Sequence, residues 1–273
     1  STARVALAAA IGRKKFLFGH MRVSWRFIVG AFNMQGGRIY SQHVDTENIV
    51  SLNVSTVNTR SFGMNDDKNQ YHHGDVPSAL MQAALLRIKN EGVDKLSLRA
   101  LARDIGVSQT APYRHFKDKN HLLVVLACNG FRELALRKPR LYETRDLFTS
   151  FTEAGMEYVY FAKEHPEQYR LMFGSKIENR SEHSELMTAG AAAFQVILDY
   201  TQQGVETGVF IEKEPEILAK SVWTTVHGIA SLTIDDFFDK LPGEFDVFIR
   251  EQLTLCIRGF AKHPKPLDEY LSH

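Results

Sequence analysis

The sequence predicts an all-α protein, with an N-terminal three-helix head containing a helix-turn-helix and a larger C-terminal helical domain. Three observations predict it. From Val76 onward apolar residues recur at helical spacing, and strand-like alternation is essentially absent after residue 70. Two short amphipathic stretches flank Gly106, the pattern of two helices joined by a tight turn. Charge is also divided unevenly along the chain. Residues 70–140 hold 12 basic and 6 acidic residues, a net +6, whereas residues 141–273 hold 12 and 22, a net −10. A basic segment joined to an acidic one suits a chain of which one part meets phosphates and the other avoids them.

The bulk numbers are those of a globular protein: 273 residues, 44% hydrophobic and 24% charged. That length allows one large domain or two modest ones, each with its own core. Two cysteines, Cys128 and Cys256, make no disulfide framework, and no CxxC or Cys/His cluster suggests zinc. A reducing, cytoplasmic location is the expectation, with no cofactor and no metal. No apolar run approaches the ~20 residues that span a bilayer, so no membrane partner is expected. Even the stretch from Phe16 to Phe32 is interrupted by His20, Arg22, Ser24 and Arg26.

Residues 1–69 read differently from the rest. They lack a sustained amphipathic period, pair Gly36 with Gly37, and contain a polar β-prone run from Asn48 to Thr59. Met64 is followed by the polar stretch NDDKNQYHHGD and is a candidate native start. Residues 1–69 are therefore expected to be a leader or disordered extension.

The helical elements follow in order. Pro77 suits a first helical turn, Leu80, Ala83, Ala84 and Ile88 mark a buried face, and Gly92 ends the helix. A second, short helix follows Ser97, with Leu98, Leu101, Ala102 and Ile105 inward, and Gly106 breaks it. Ser108 is placed to cap a third helix running to about Phe116. Pro112 falls in its first turn and should stiffen the start without breaking it. Asp118 opens a longer helix carrying Leu122, Leu123, Leu126 and Phe131, which ends before Pro139. Further helices are expected at about 144–163, 167–174, 184–207, 214–238 and 243–262.

The segment SLRALARDIGVSQTAPYRHFKDKNHLL, Ser97 to Leu123, carries the function. Ala102 is small where two helices cross, Gly106 permits the turn, and Val107 plugs the core beneath it. Ile105, Tyr113 and Phe116 would complete the packing. These residues closely resemble the DNA-binding domain of the TetR family. The resemblance rests on a helix ending NEG, Leu101-Ala102, Gly106-Val107-Ser108, Tyr113-Arg114-His115-Phe116 and Lys119. Pro112 departs from the commonest family pattern. The resemblance implies a DNA-binding head (70–136), a C-terminal effector-binding and dimerisation domain (141–263) and a tail (264–273). It implies a ligand-responsive repressor that binds a palindromic operator in double-stranded DNA as a homodimer, released by a small-molecule effector. A ligand-independent DNA-binding protein or activator is the alternative.

Roles in the head follow from chemistry and from the matching positions. Gln109, Thr110 and Ala111 lie at the exposed start of the recognition element; Gln suits adenine, and Thr or Ala a thymine methyl. Arg114 and His115 can reach bases or backbone. Ser97, Ser108, Tyr113 and Lys119 are placed for phosphates, and Arg99 and Arg103 flank the backbone. For Tyr113 and His115, simple packing is the competing possibility.

In the C-terminal part, EHPEQYRLMFG (Glu164 to Gly174) and VWTTVHGIASL (Val222 to Leu232) resemble the domain of a TetR subgroup named for its Trp-His-Gly signature, here Trp223, His227 and Gly228. Trp223 and His227 share one helix face. With Ala230 and Ser231 they either line a small cavity or form a packed core in which Gly228 permits close helix approach. Phe151, Met156, Tyr160, Met172 and Phe173 form either a hydrophobic effector pocket or core. The last two helices carry Leu218, Val222, Phe245, Phe248, Leu253 and Leu255, which family resemblance suggests pack against a second copy. No GxSxG elbow, phosphate-cradling Gly loop or HExxH is present, so an enzyme is not expected. His72, His73 and Asp75 make at most a weak metal set on a polar arm.

Overall fold

In the computed structural model, residues 75–137, 146–238, 244–266 and 269 are described. The expected leader, the start at Met64 and the His72–His73 pair lie outside them. The described residues form eight α-helices and no strands; a single bridge links Phe210 to Ala261.

The head is built from local signals that agree with one another. Helix α1 (Val76–Glu91) opens on Asp75, whose carboxylate accepts from the Ser78 amide, and it buries Leu80, Ala84 and Ile88 at four-residue spacing. Gly92, at φ 84°, ends it. After a 3₁₀ turn (Val93–Lys95) comes α2 (Leu98–Asp104), capped by the Ser97 hydroxyl accepting from the Ala100 amide. At its end the Gly106 amide donates to Arg103 O and the Val107 amide to Ala102 O. This six-to-one closure needs a left-handed residue, and Gly106 supplies it at φ 72°. Helix α3 (Lys119–Leu136) starts at Asp118, whose carboxylate accepts from the His121 amide at 2.8 Å.

One expected element differs. In place of an α-helix from Ser108 to Phe116, the chain forms a 3₁₀ turn, Ala111–Arg114. Pro112 has no amide to continue an α ladder, and the neighbouring amides of Ala111, Tyr113 and His115 bond three residues back. The Ser108 hydroxyl does not cap a helix but pairs with that of Thr110 at 3.2 Å.

The body comprises α4 (Leu147–Glu164), α5 (Pro166–Phe173), α6 (Ser184–Glu206), α7 (Pro215–Ile234) and α8 (Phe245–Arg258). The last two are shorter than the sequence suggests; α7 stops where Asp236 adopts φ 59°. Helix α3 belongs to both halves, packing on α5 and α6, while α4 packs on α7 and α8. Its approach to α5 is close at Gly130, where a Cβ would lie 2.5 Å from Met172 Sδ. There the Gln168 side chain donates to Leu126 O at 3.0 Å.

Candidate DNA-binding face and effector cavity

The 3₁₀ turn divides its residues sharply. Pro112 and Phe116 are buried beneath it, while Gln109, Thr110, Tyr113, Arg114 and His115 are exposed, with Ala111 and Lys119 half-buried. Ser97, Arg99, Arg103 and Ser108 are exposed on the same head. Tyr113 does not complete the core as the spacing suggested: its side chain is 49% exposed. Ile105 and Phe116 are buried, and Val107 packs against them. The buried proline and phenylalanine therefore act as a platform that presents polar side chains outward, five of them within seven residues. Lys119 is not free-standing, because its ammonium donates to Asp94 O at 3.2 Å.

Beneath the head, the body buries polar groups. The His227 Nδ1 lies 2.6 Å from the Tyr169 hydroxyl and 3.4 Å from that of Tyr158, and Nε2 lies 3.5 Å from the Ser231 hydroxyl. Phe173 and Trp223 close around the ring, with centroids 4.6 and 5.6 Å away. Burial holds the imidazole at a pKa of about 4, so it is neutral near pH 7. The same burial pushes the phenols of Tyr158 and Tyr169 up. Here Trp223 and His227 form a packed aromatic and polar cluster. Gly228 does not serve close approach within the chain, since a Cβ there would meet nothing within 4 Å.

The body also contains a cavity of ≈ 30 Å³ between α3, α4, α6 and α7, walled by Phe151, Gly155, Tyr158, Ile197, Tyr200 and Val226 among others, with Arg137 at its edge. Of the seven candidate ligand residues, only Phe151 borders it. Met156 and Met172 are buried in the core, and Phe173, Trp223 and His227 form the aromatic cluster. Tyr160 lies apart, where partial burial and the neighbouring Asp246 carboxylate raise its phenol to about 12. Gly155, Tyr158 and Tyr200 border the cavity without being among the candidates that helical spacing suggests. Gly155 was the available signal: a helical glycine facing a neighbouring helix, here Leu253 of α8, whose Cδ1 would lie 2.8 Å from an added Cβ.

A basic helix-turn-helix head with an exposed polar turn, joined to an acidic helical body, defines a DNA-binding regulator. The family model described as bacterial regulatory proteins, tetR family, matches residues 80–126. The model described as the tetracyclin repressor-like C-terminal domain matches residues 151–255. Solved structures agree. A protein of unknown function from Rhodococcus sp. RHA1 is 31% identical, with 71% of this chain and 100% of that one covered and a TM-score of 0.61. The TetR-family transcriptional regulator PfmR from Thermus thermophilus shares the fold at 19% identity, covering 66% and 97% of the two chains, TM-score 0.53. So does a TetR family protein from Vibrio parahaemolyticus, at 19% identity, 68% and 98% coverage and a TM-score of 0.55. No curated protein sequence matches the chain. The chain belongs to the TetR family and is a DNA-binding transcriptional regulator. Among the described residues no helix is long and apolar enough to cross a membrane, and no three His, Cys, Asp or Glu side chains are grouped to hold a metal.

Proposed function

We propose that the protein is a ligand-responsive repressor that binds a palindromic operator as a dimer. The observation that carries this reading is the turn at 109–115, where buried Pro112 and Phe116 support an exposed row of hydrogen-bonding side chains. Gln109 and Thr110 lead into the major groove, Arg114 and His115 follow, and Ser97, Arg99, Ser108, Tyr113 and Lys119 hold the phosphates, with Ala111 against a thymine methyl. The head spans 70–136, the effector-binding and dimerisation domain 141–263, and the tail 264–273.

Dimerisation is supported by an exposed strip on α7, formed by Ile217, Ser221, Thr224 and Leu232, with half-buried Gly228 between them. Val247 and Leu255 are likewise exposed on α8. Of the residues expected there from the sequence, Leu255 is exposed and the others are buried or half-buried. Leu218, Val222 and Leu253 are buried in their own protomer, so an interface formed by these two helices uses their other faces. Open space at Gly228 lets a second helix approach closely.

The cavity supports an effector site between these helices. Drug-sized ligands occupy ~300–1,000 Å³, far more than is open here. An effector seated there would part α4 from α6 and α7, giving a second conformation of the body. The Trp223, His227 and Gly228 signature supports placing the chain in the Trp-His-Gly subgroup. The test is selection of bound duplexes from a random library, followed by a screen for hydrophobic small molecules that release the enriched DNA. Enrichment of a palindrome and its release by a compound support the reading; enrichment of no sequence overturns it.

A further inference from the structure

The head is joined to the body by more than the continuity of α3. A polar clasp ties its 92–95 turn and the start of α3 to the segment that follows α5. The Asn120 carboxamide pairs reciprocally with the backbone of Glu178: its oxygen accepts from Glu178 N at 2.9 Å and its Nδ2 donates to Glu178 O at 3.3 Å. The His183 ring nitrogen Nε2 lies 3.2 Å from the same Nδ2 and 3.1 Å from Glu178 O. The Lys176 ammonium meets both carboxylate oxygens of Asp94 at 2.9 Å, holding that carboxyl below its usual range. Asp94 in turn offers its carbonyl to Lys119, the phosphate-contact candidate.

The geometry points to Asp94, Asn120, Lys176 and His183 as positioning residues that fix the angle of the head on the body, and so the spacing at which two heads meet DNA. The contacts are chemically suited to this. Each is exposed or half-buried and adds little stability alone, yet together three residue pairs, Asp94 with Lys176 and Asn120 with Glu178 and His183, join the two pieces beside a single helix. The body side of the clasp is also anchored. It leaves α5 at Gly174, directly after Phe173, whose ring packs on His227, Trp223 and Phe131. Arg180 donates to the carbonyls of Leu171 and Met172, closing the end of α5. A shift of the aromatic cluster thus reaches the head through the segment 174–183 as well as through α3. This inference rests on the dimeric-operator reading only for its spacing consequence; the clasp itself lies within one chain.

Asn120→Ala and Lys176→Ala, singly and together, test it, one on each side of the clasp. Binding is read by anisotropy on the palindromic duplex enriched by the wild-type protein, on duplexes with one or two base pairs added at its centre, and on a single half-site. The head-to-body distance is read by pulsed spin resonance between labels at Leu86→Cys and Gln202→Cys. The double variant should keep half-site affinity and melting temperature, lose on the order of tenfold on the palindrome, discriminate less among spacings, and broaden the distance distribution. An unchanged distance distribution with an unchanged spacing profile overturns the proposal, as does an equal loss on half-site and palindrome. If the wild-type protein shows no preference for the palindrome over the half-site, the dimer reading fails, and the width of the distance distribution alone decides the clasp.

Discussion

In the head, between Val76 and Phe116, polar side chains point outward and the interior is purely apolar: Leu80, Ala84, Leu98, Leu101, Ala102, Ile105 and Phe116. In the body, around α4, α5 and α7, polar groups point inward, with His227, Tyr158, Tyr169 and Ser231 hydrogen-bonded together beside a cavity. The difference fits the division of labour in a DNA-binding regulator. A reading head needs one rigid surface, and a close-packed apolar core gives a single arrangement. A body that answered to a ligand, as proposed, would need an interior with more than one arrangement of similar free energy, and buried polar groups beside unfilled space lie closer to that condition.

The comparison breaks most readily at the head's core. Leu101→Ala should destabilise the head by ~2–5 kcal/mol, because Leu101, on α2, is fully buried in the core. Chemical denaturation that shows less than ~1 kcal/mol would mean that the head relaxes around cavities and is not rigid.

The body should respond instead to pH. The His227 imidazole has a folded pKa of about 4 against 6.5 when unfolded, so between those values the unfolded chain binds more protons. The stability from its burial is complete above pH ~6.5 and is lost as pH falls towards ~4, a change on the order of 3 kcal/mol. Denaturation midpoints of the wild type and His227→Gln, compared from pH 6.5 to 4, measure it. The difference between the two should shrink or reverse on acidification, and a constant difference would mean that His227 is not buried as a neutral group.

At the reading face the effect is on selectivity. Gln109→Ala should cost ~1–3 kcal/mol of discrimination at one base position and leave the fold intact. A competition assay over single-base operator variants reports this; a uniform loss at all positions would assign Gln109 to the backbone. The smallest effect belongs to the turn itself. Pro112→Ala frees the unfolded chain and restores an amide, which should lower stability by ~0.5–1 kcal/mol in a thermal melt. A markedly more stable variant would show that the proline strains the turn.

Much of this difference could be read in the chain. The helix starts at Ser97 and Asp118, the breaks at Gly92 and Gly106, and the all-α architecture follow from local chemistry, which needs only neighbouring residues, whereas Asp75, read as part of a weak metal set, instead caps α1. Between Ser108 and Phe116 the chain makes a helical turn where a helix is expected, but of 3₁₀ and not α geometry. The cap at Ser108 and the spacing to Phe116 favour an α-helix, whereas Pro112 removes an amide in a segment too short to absorb the loss. The cavity was the least legible feature. Phe151, Tyr158, Ile197, Tyr200 and Val226 come from three helices and meet only after tertiary packing, so no helical period singles them out. The Asn120 pairing with the Glu178 backbone was equally hidden, since a backbone partner leaves no mark in sequence.

The central claim is that the head grips DNA through the turn at 109–115 and the start of α3. The most direct measurement is the salt dependence of DNA affinity for the wild type and Lys119→Ala. Removing one phosphate contact should weaken binding to all sequences and reduce the slope of log affinity against log salt by ~1. An unchanged slope and affinity, repeated with Arg114→Ala, would place the DNA elsewhere on the molecule and contradict the assignment of the head.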